Sequence, residues 1–318
     1  MSAFSPPSVL LALLIASQLA ILPAAAAAPP EIALKIRARE TIRLDHDFDR
    51  DAADANNFAT LRTRLGFGFG AGAYAAAFIE LQDSRVLGEA PGTTSSLDRV
   101  DLHQGYLELR NSTQATSVLQ LGRYEMSYGS SRQIGRSEWS DVGRSFDGAR
   151  ARFELSDFGW MHLWALKTQE TGGPQFGPSR PTTGAAAESA FLGGSLHYEP
   201  TEESALELYL LDLYSDHGDG GSARGSSNLL TAGLRVDWDG RSTGWQMGAE
   251  AAYQFGATPD SLIGGENIAG SEIQAWAAVA RIRRYLPARI ESWLEFELNA
   301  ASGDPDPTDS TLETYNQL

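Results

Sequence analysis

Six basic side chains near the start of the chain share one alternation: Lys35, Arg37, Arg39 and Arg43 in one stretch, Arg62 and Arg64 in the next. Arginine keeps its charge at any physiological pH, and its planar fork takes a carboxylate through two parallel hydrogen bonds. A ladder of such groups along a confined wet wall is a selectivity device for anions. Arg150, Arg152 and Arg235 hold comparable positions further on, while Glu125, Glu154, Asp237, Glu250, Glu295 and Glu297 supply acids. These acids either keep single sites from holding an anion too tightly or brace the wall as salt bridges. The residues leave both readings open.

The positioning elements are extended strands. From Glu31 to Phe48, Ile32, Leu34, Ile36, Ala38, Ile42 and Leu44 fall on one parity, Glu40 being the exception, with Lys35, Arg37, Arg39, Thr41, Arg43, Asp45 and Asp47 on the other. A period of two marks a strand with one apolar and one wet face. Thr60–Phe69, Leu230–Trp238, Trp245–Phe255 and Leu294–Ala300 repeat the pattern, whereas Trp160–Lys167 and Ile273–Arg284 are ambiguous, with tryptophan on the less apolar parity. About thirteen such segments have the length to cross a bilayer at a tilt. Short links, such as Gly70–Ala73, Asp239–Thr243 and Leu286–Arg289, alternate with long polar ones, such as Ser84–Asp101, Gly129–Arg144 and Gln169–Ser189. This predicts an all-β fold, a transmembrane antiparallel up-and-down β-barrel in a bacterial outer membrane, its long loops at one end. Tyr74, Trp160, Tyr198, Trp238, Trp245 and Tyr285 beside the short turns are expected to form an interfacial belt.

The apolar run Val9–Leu22 and the alanine tract Ala24–Ala28 read as a signal peptide over residues 1–28, leaving 29–318 for the barrel. There is no cysteine, so neither disulfides nor thiol chemistry arise. The net charge of −16 argues against nucleic acid as a partner. Much of the negative excess falls in outer loops, at Asp45, Asp47, Asp49, Asp51, Asp54, Asp216, Asp219, Asp304, Asp306 and Asp309, and the wall is the more basic for it. No cofactor is expected. Loose Ca²⁺ at those acidic loops, beside lipopolysaccharide, is the one metal reading, with a solvated turn at Asp304–Asp309 the simpler one. The five histidines show no H-E-x-x-H spacing and there is no G-x-S-x-G elbow, so no enzyme is expected.

A series of motifs goes further: DLHQGYLEL from Asp101, LGRYEMSYG from Leu121, Arg132, GRSEWSD from Gly135 and GRSFDGA from Gly143. It resembles the alginate-export family of outer-membrane proteins, whose members carry a similar G-R-x-E-x-x-Y-G, Arg, W-S, R-x-F-D-G order. The resemblance runs from about residue 31 to the end. It implies a monomeric barrel of roughly eighteen strands, so the thirteen segments are expected to be a piece lacking its C-terminal strands. It further implies passage of a polyuronate through an arginine-lined constriction, with Arg123, Glu125, Arg132, Arg144 and Asp147 at the constriction or its loop supports. The expected partners are outer-membrane lipids and lipopolysaccharide, an anionic polysaccharide or sugar acid, and periplasmic export proteins. Two rivals stand beside passive export: a nutrient-uptake porin for small anions, and a structural or adhesive barrel that transports nothing.

Overall fold

The computed structural model describes residues 30–44, 55–88, 100–111, 116–156, 159–168, 188–216, 223–224, 226–263, 266–287, 290, 292–306 and 309–316. The signal-peptide reading at 1–28, the acidic stretch Asp45–Asp54, Asp219 and most of the Gln169–Ser189 loop lie outside the described residues.

The chain divides into two compact units, Met1–Gly122 and Arg123–Leu318. In the first, β1 (Glu31–Leu44), β2 (Ala55–Ala71), β3 (Ala75–Gly88) and β4 (Val100–Arg110) pair as successive antiparallel hairpins. Strand β5 (Ser117–Tyr124) runs over the boundary. In the second unit β6 (Phe146–Ser156), β7 (Gly159–Thr168), β8 (Glu188–Thr201) and β9 (Ser204–Asp216) continue the same way. They are followed by β11 (Ser226–Gly240), β12 (Trp245–Ala257), β15 (Glu272–Leu286) and β16 (Ser292–Ala301), each antiparallel to its predecessor. Short strands β10 (Ala223–Arg224), β13 (Asp260–Ile263) and β14 (Glu266–Ile268) form a small sheet, and β17 (Thr311–Leu312) lies parallel to β15. The long strands thus number thirteen among the described residues, all in up-and-down order.

Two residues separate β6 from β7 and β8 from β9, and three separate β2 from β3, whereas 125–145 lies between β5 and β6. The alternation of short and long connections read from sequence is therefore present.

Burial is inverted relative to a soluble sandwich. On β1 the apolar residues Ile32, Leu34 and Ile36 are each more than 60% exposed, as are Leu294 and Phe296 on β16. The opposite faces bury Thr60, Arg62, Arg64, Glu80, Gln82, Glu207, Thr231, Glu250 and Gln254. An apolar exposed face on hydrogen-bonded strands is what hydrocarbon demands of a spanning sheet. Of the expected belt, Tyr198, Trp238 and Trp245 share the parity of this apolar face. Trp160 instead stacks on His197, with ring centroids 3.9 Å apart, and Tyr285 shares the parity of Arg281 and Arg283. Both belong to the polar face, a correction that follows from strand parity.

One backbone feature of β6 constrains the sequence strictly. Gly148 has φ +153°, and a Cβ there would lie 2.3 Å from the Ala165 carbonyl oxygen on β7. That region of backbone space is nearly glycine-only and costs other residues on the order of 1–3 kcal/mol before any clash. Gly148→Val is expected to prevent formation of the folded barrel, read as loss of the fast-migrating band of unheated protein on a detergent gel.

Candidate functional site

The first unit places the sequence-predicted cations together. Register sets Lys35 opposite Arg64 and Arg37 opposite Arg62, two like-charged cross-strand pairs in succession. Opposed like charges destabilise a strand pair, so packing alone does not favour this arrangement. Strand β3 supplies partners: Lys35 Nζ lies 3.5 Å from Glu80 Oε2, and Arg64 Nε donates to Gln82 Oε1 at 2.6 Å. Arg39 follows on the same parity, opposite Thr60. Arg43 sits opposite Asn56, its side chain outside the described residues. Asp101 and His103 are buried on β4, and Glu108 there accepts from Arg110 and from Gln120 of β5.

In the second unit the cations and acids form a chain. Glu207 Oε2 is 3.6 Å from Arg235, Arg235 is 2.8 Å from Asp237, and Asp237 is 3.8 Å from Arg281. Arg281 lies 4.0 Å from Glu295, which also holds Arg283 at 2.6 Å. Charge of alternating sign thus runs along the face from β9 to β16. Glycine makes the crossings possible. Asp237 on β11 and Arg281 on β15 meet across Gly248 of β12, where a Cβ would come within 2.9 Å of Asp237. Likewise Tyr209 crosses β11 over Gly233, opposite it in register, and donates to Glu250 Oε1 on β12 at 2.9 Å. Arg152 pairs with Glu154 on its own strand and lies 4.8 Å over the Trp160 ring. These cations thus sit in ion pairs with neighbouring acids.

The motif residues do something that spacing alone did not announce: they build a loop that folds back over the polar face. Arg123 grips Asp147 with two hydrogen bonds of 2.7 Å, clamping the segment 125–145 at its base. Such a bidentate pair fixes orientation as well as position. Above it Arg150 lies 4.8 Å over the Tyr124 ring. The loop then lies on the polar face. Tyr128 stacks on Trp164 of β7 at 4.6 Å and meets His162 edge-on at 5.0 Å. Burial pushes the Tyr128 phenol up from its ordinary value, with Arg150 pulling the other way. The Ser130 hydroxyl donates to Glu250, and Arg132 donates to Glu297 at 2.6 Å. Met126 and Ile134 are fully buried, and a small cavity remains between Tyr128, Ile134, Trp164, Glu207, Tyr209 and Glu250. Glu125 is nearly buried, 4.0 Å from Arg136, while Arg144 is exposed and its amide donates to the Arg136 carbonyl at 2.9 Å.

A second segment covers the same face. Beyond β16, Asn316 exchanges two hydrogen bonds with the fully buried Gln254 amide, at 2.6 and 2.9 Å. The carboxylates of Asp304 and Asp309 accept backbone amides of Asp306 and Thr311, closing local turns.

Sequence reasoning missed Tyr128, Trp164, Tyr209 and Glu207. Tyr128 lay inside the LGRYEMSYG motif, and the tryptophan on the wet parity of Trp160–Lys167 was the available signal for Trp164.

A family model described as "Alginate export" matches residues 29–318. No curated protein sequence matches the chain. Among solved structures, the chain is similar to the high-pH structure of Pseudomonas putida OprB, at 9% identity over 80% of this chain and 75% of that one, TM-score 0.45. It is also similar to the Salmonella typhi OmpF complex with daunomycin, at 10% identity over 90% and 82%, TM-score 0.49. Pseudomonas aeruginosa OccD3 is a third, at 14% identity over 81% and 67%, TM-score 0.37. These likenesses are distant.

Proposed function

The chain belongs to the alginate-export family, an outer-membrane β-barrel channel family, and from that premise we propose that its polar face lines a passive pore for an anionic polysaccharide or other anionic solute. One observation carries the reading: Lys35, Arg37, Arg62 and Arg64 are opposed as like charges on two adjacent strands, against the interest of strand pairing. Guanidinium groups so placed replace part of a carboxylate's hydration and let each charge pass to the next site, while Glu80 keeps residence short. The acid-paired cations of β9 to β16 brace the wall, and the inward loop narrows the path beside them. No energy source enters this mechanism, and its direction is set by concentration and by periplasmic partners.

The same loop favours a second reading, uptake of small anions, because a narrowed path suits a monomeric sugar acid as well as a chain. Planar-bilayer recording separates the outcomes. At low salt a KCl gradient is expected to give a reversal potential of anion-selective sign, with current blocked by added oligogalacturonate. Block by long oligomers at lower concentration than by the monomer supports polysaccharide passage; equal block supports small-anion uptake. Cation selectivity in the wild-type channel would overturn the proposal.

A further inference from the structure

Where the loop between β5 and β6 comes down on the wall, two buried polar atoms of opposite kind are left without a hydrogen bond. Trp164 Nε1 on β7 is a donor, and Gln133 Oε1 on the loop is an acceptor. Trp164 is only 5% exposed. Its indole leans across Gly193 of β8, where a Cβ would come within 2.9 Å of Nε1. Both residues line the same small cavity, with Ser195, Glu207, Tyr209 and Glu250 around it.

A buried donor or acceptor left unmade is costly, and folded proteins satisfy nearly all of them. The two carboxylates of the cavity are already engaged. Glu250 accepts from the Ser130 hydroxyl at one oxygen and from Tyr209, 2.9 Å away, at the other, while Glu207 lies 3.6 Å from Arg235. The Tyr128 and Ser195 hydroxyls can turn either to give or to accept. What the cavity offers a guest is therefore one fixed N–H and one fixed C=O. A metal cation would meet the indole N–H head-on, and an anion would face the Gln133 oxygen beside two carboxylates. Only a group that both accepts and donates satisfies the pair. The room, about 10 Å³, takes a single water and nothing larger.

We propose that this cavity is a binding site for one ordered water, which accepts from Trp164 Nε1 and donates to Gln133 Oε1, its second hydrogen turned to the Glu207 carboxylate. Trp164 belongs to the wall and Gln133 to the loop, so the water joins the two. Such a bridge is nearly as favourable as a direct hydrogen bond. The seat of the loop is thus completed by solvent rather than by protein alone. Gln133 also faces the Tyr315 hydroxyl of the segment beyond β16, so one side chain serves both coverings of the polar face. The site concerns how the loop is held, and it stands whether or not the pore prefers anions.

A crystal structure of the full-length protein, from crystals soaked in rubidium chloride, is expected to show one peak within hydrogen-bonding distance of both Trp164 Nε1 and Gln133 Oε1, without anomalous signal. Anomalous density there, or no density where waters are seen elsewhere on the wall, would overturn the proposal. Release of the loop is read in parallel as the rate of tryptic cleavage at Arg136, which follows the open population. Trp164→Phe keeps a ring beneath Tyr128 but removes the N–H, and Gln133→Leu removes the acceptor. Each is expected to raise the rate about fivefold, the loss of roughly one hydrogen bond. The double variant is expected to fall well short of the product of the two, because the second change finds the water already gone. Unheated-gel mobility confirms that each variant has reached the folded barrel. Effects that multiply in full, or wild-type rates in both single variants, would overturn the bridge.

Discussion

Replacing Arg37, Arg39, Arg62 and Arg64 together with serine is expected to abolish the channel's anion preference and turn it toward cations. The acids that remain nearby are buried on the same face, Glu80 and Asp101 among them. Without the arginines their field is far less compensated, with Lys35 still 3.5 Å from Glu80. A unit charge 4 Å from an ion's path shifts its energy by about 1 kcal/mol in bulk water and about 4 kcal/mol at the effective dielectric near a protein surface. Since about 1.4 kcal/mol is a tenfold change, removal of four charges is expected to move the anion-to-cation permeability ratio by well over tenfold. The effect must be read near 0.1 M salt, where the screening length is about 10 Å, because it contracts to about 3 Å at 1 M. The change removes the Arg37–Arg62 opposition and with it the buried Arg64–Gln82 bond, so unheated-gel mobility must show that the variant has reached the folded barrel. The four lysine replacements make the informative companion: selectivity for small anions should survive, since charge is kept. Block by oligouronates should weaken, since the bidentate fork is gone. Unchanged selectivity in the serine variant would refute the role given to these residues.

Freeing the inward loop is expected to have the other large effect. In the triple variant Tyr128→Ala, Ser130→Ala, Arg132→Ala the loop loses its stack on Trp164, its bond to Glu250 and its bond to Glu297. The aromatic stack contributes about 0.5–1.5 kcal/mol beyond the area it covers. A hydrogen bond to a charged, mostly buried partner such as Glu250 contributes about 1.5–3 kcal/mol. The Arg132–Glu297 pair is half-exposed and screened, and contributes least. Single-channel conductance is expected to rise and its noise to grow, with faster tryptic cleavage at Arg136 in the same protein. Unchanged conductance and cleavage would mean that the loop does not narrow the path.

The fold was legible because one face meets lipid. A strand such as Thr60–Phe69, with Leu65 and Phe69 on one side and Arg62 and Arg64 on the other, sits inside β2 as read. Legibility failed where a loop covers the polar face, since apolar side chains are then needed on both sides. Trp160–Lys167 was ambiguous because Trp164 carries Tyr128. Ile273–Arg284 was ambiguous because Ile273 and Ala275 are buried on the strand that pairs with β17. The candidate site divides in the same manner. The Lys35–Arg64 and Arg37–Arg62 oppositions follow from one hairpin and were readable. The Arg123–Asp147 clamp joins motif positions that sequence could name but not connect. The Asp237–Arg281 contact crosses Gly248 and the Tyr209–Glu250 bond crosses Gly233, glycines whose meaning appears only once the neighbouring strands are in register.

The loop's anchors also set an order of events. Ser130 and Glu250 are 120 residues apart in the chain, and Arg132 and Glu297 are 165 apart. Contacts of such separation close late, because the entropy of the intervening chain must be given up before they form. The Arg123–Asp147 clamp spans 24 residues and can close as soon as β6 meets its neighbours. With the clamp closed and the distant anchors still open, the base of the loop would be fixed and its tip adrift. A barrel caught at that stage would be a wider and leakier pore than the finished one, and a hazard to the cell that builds it.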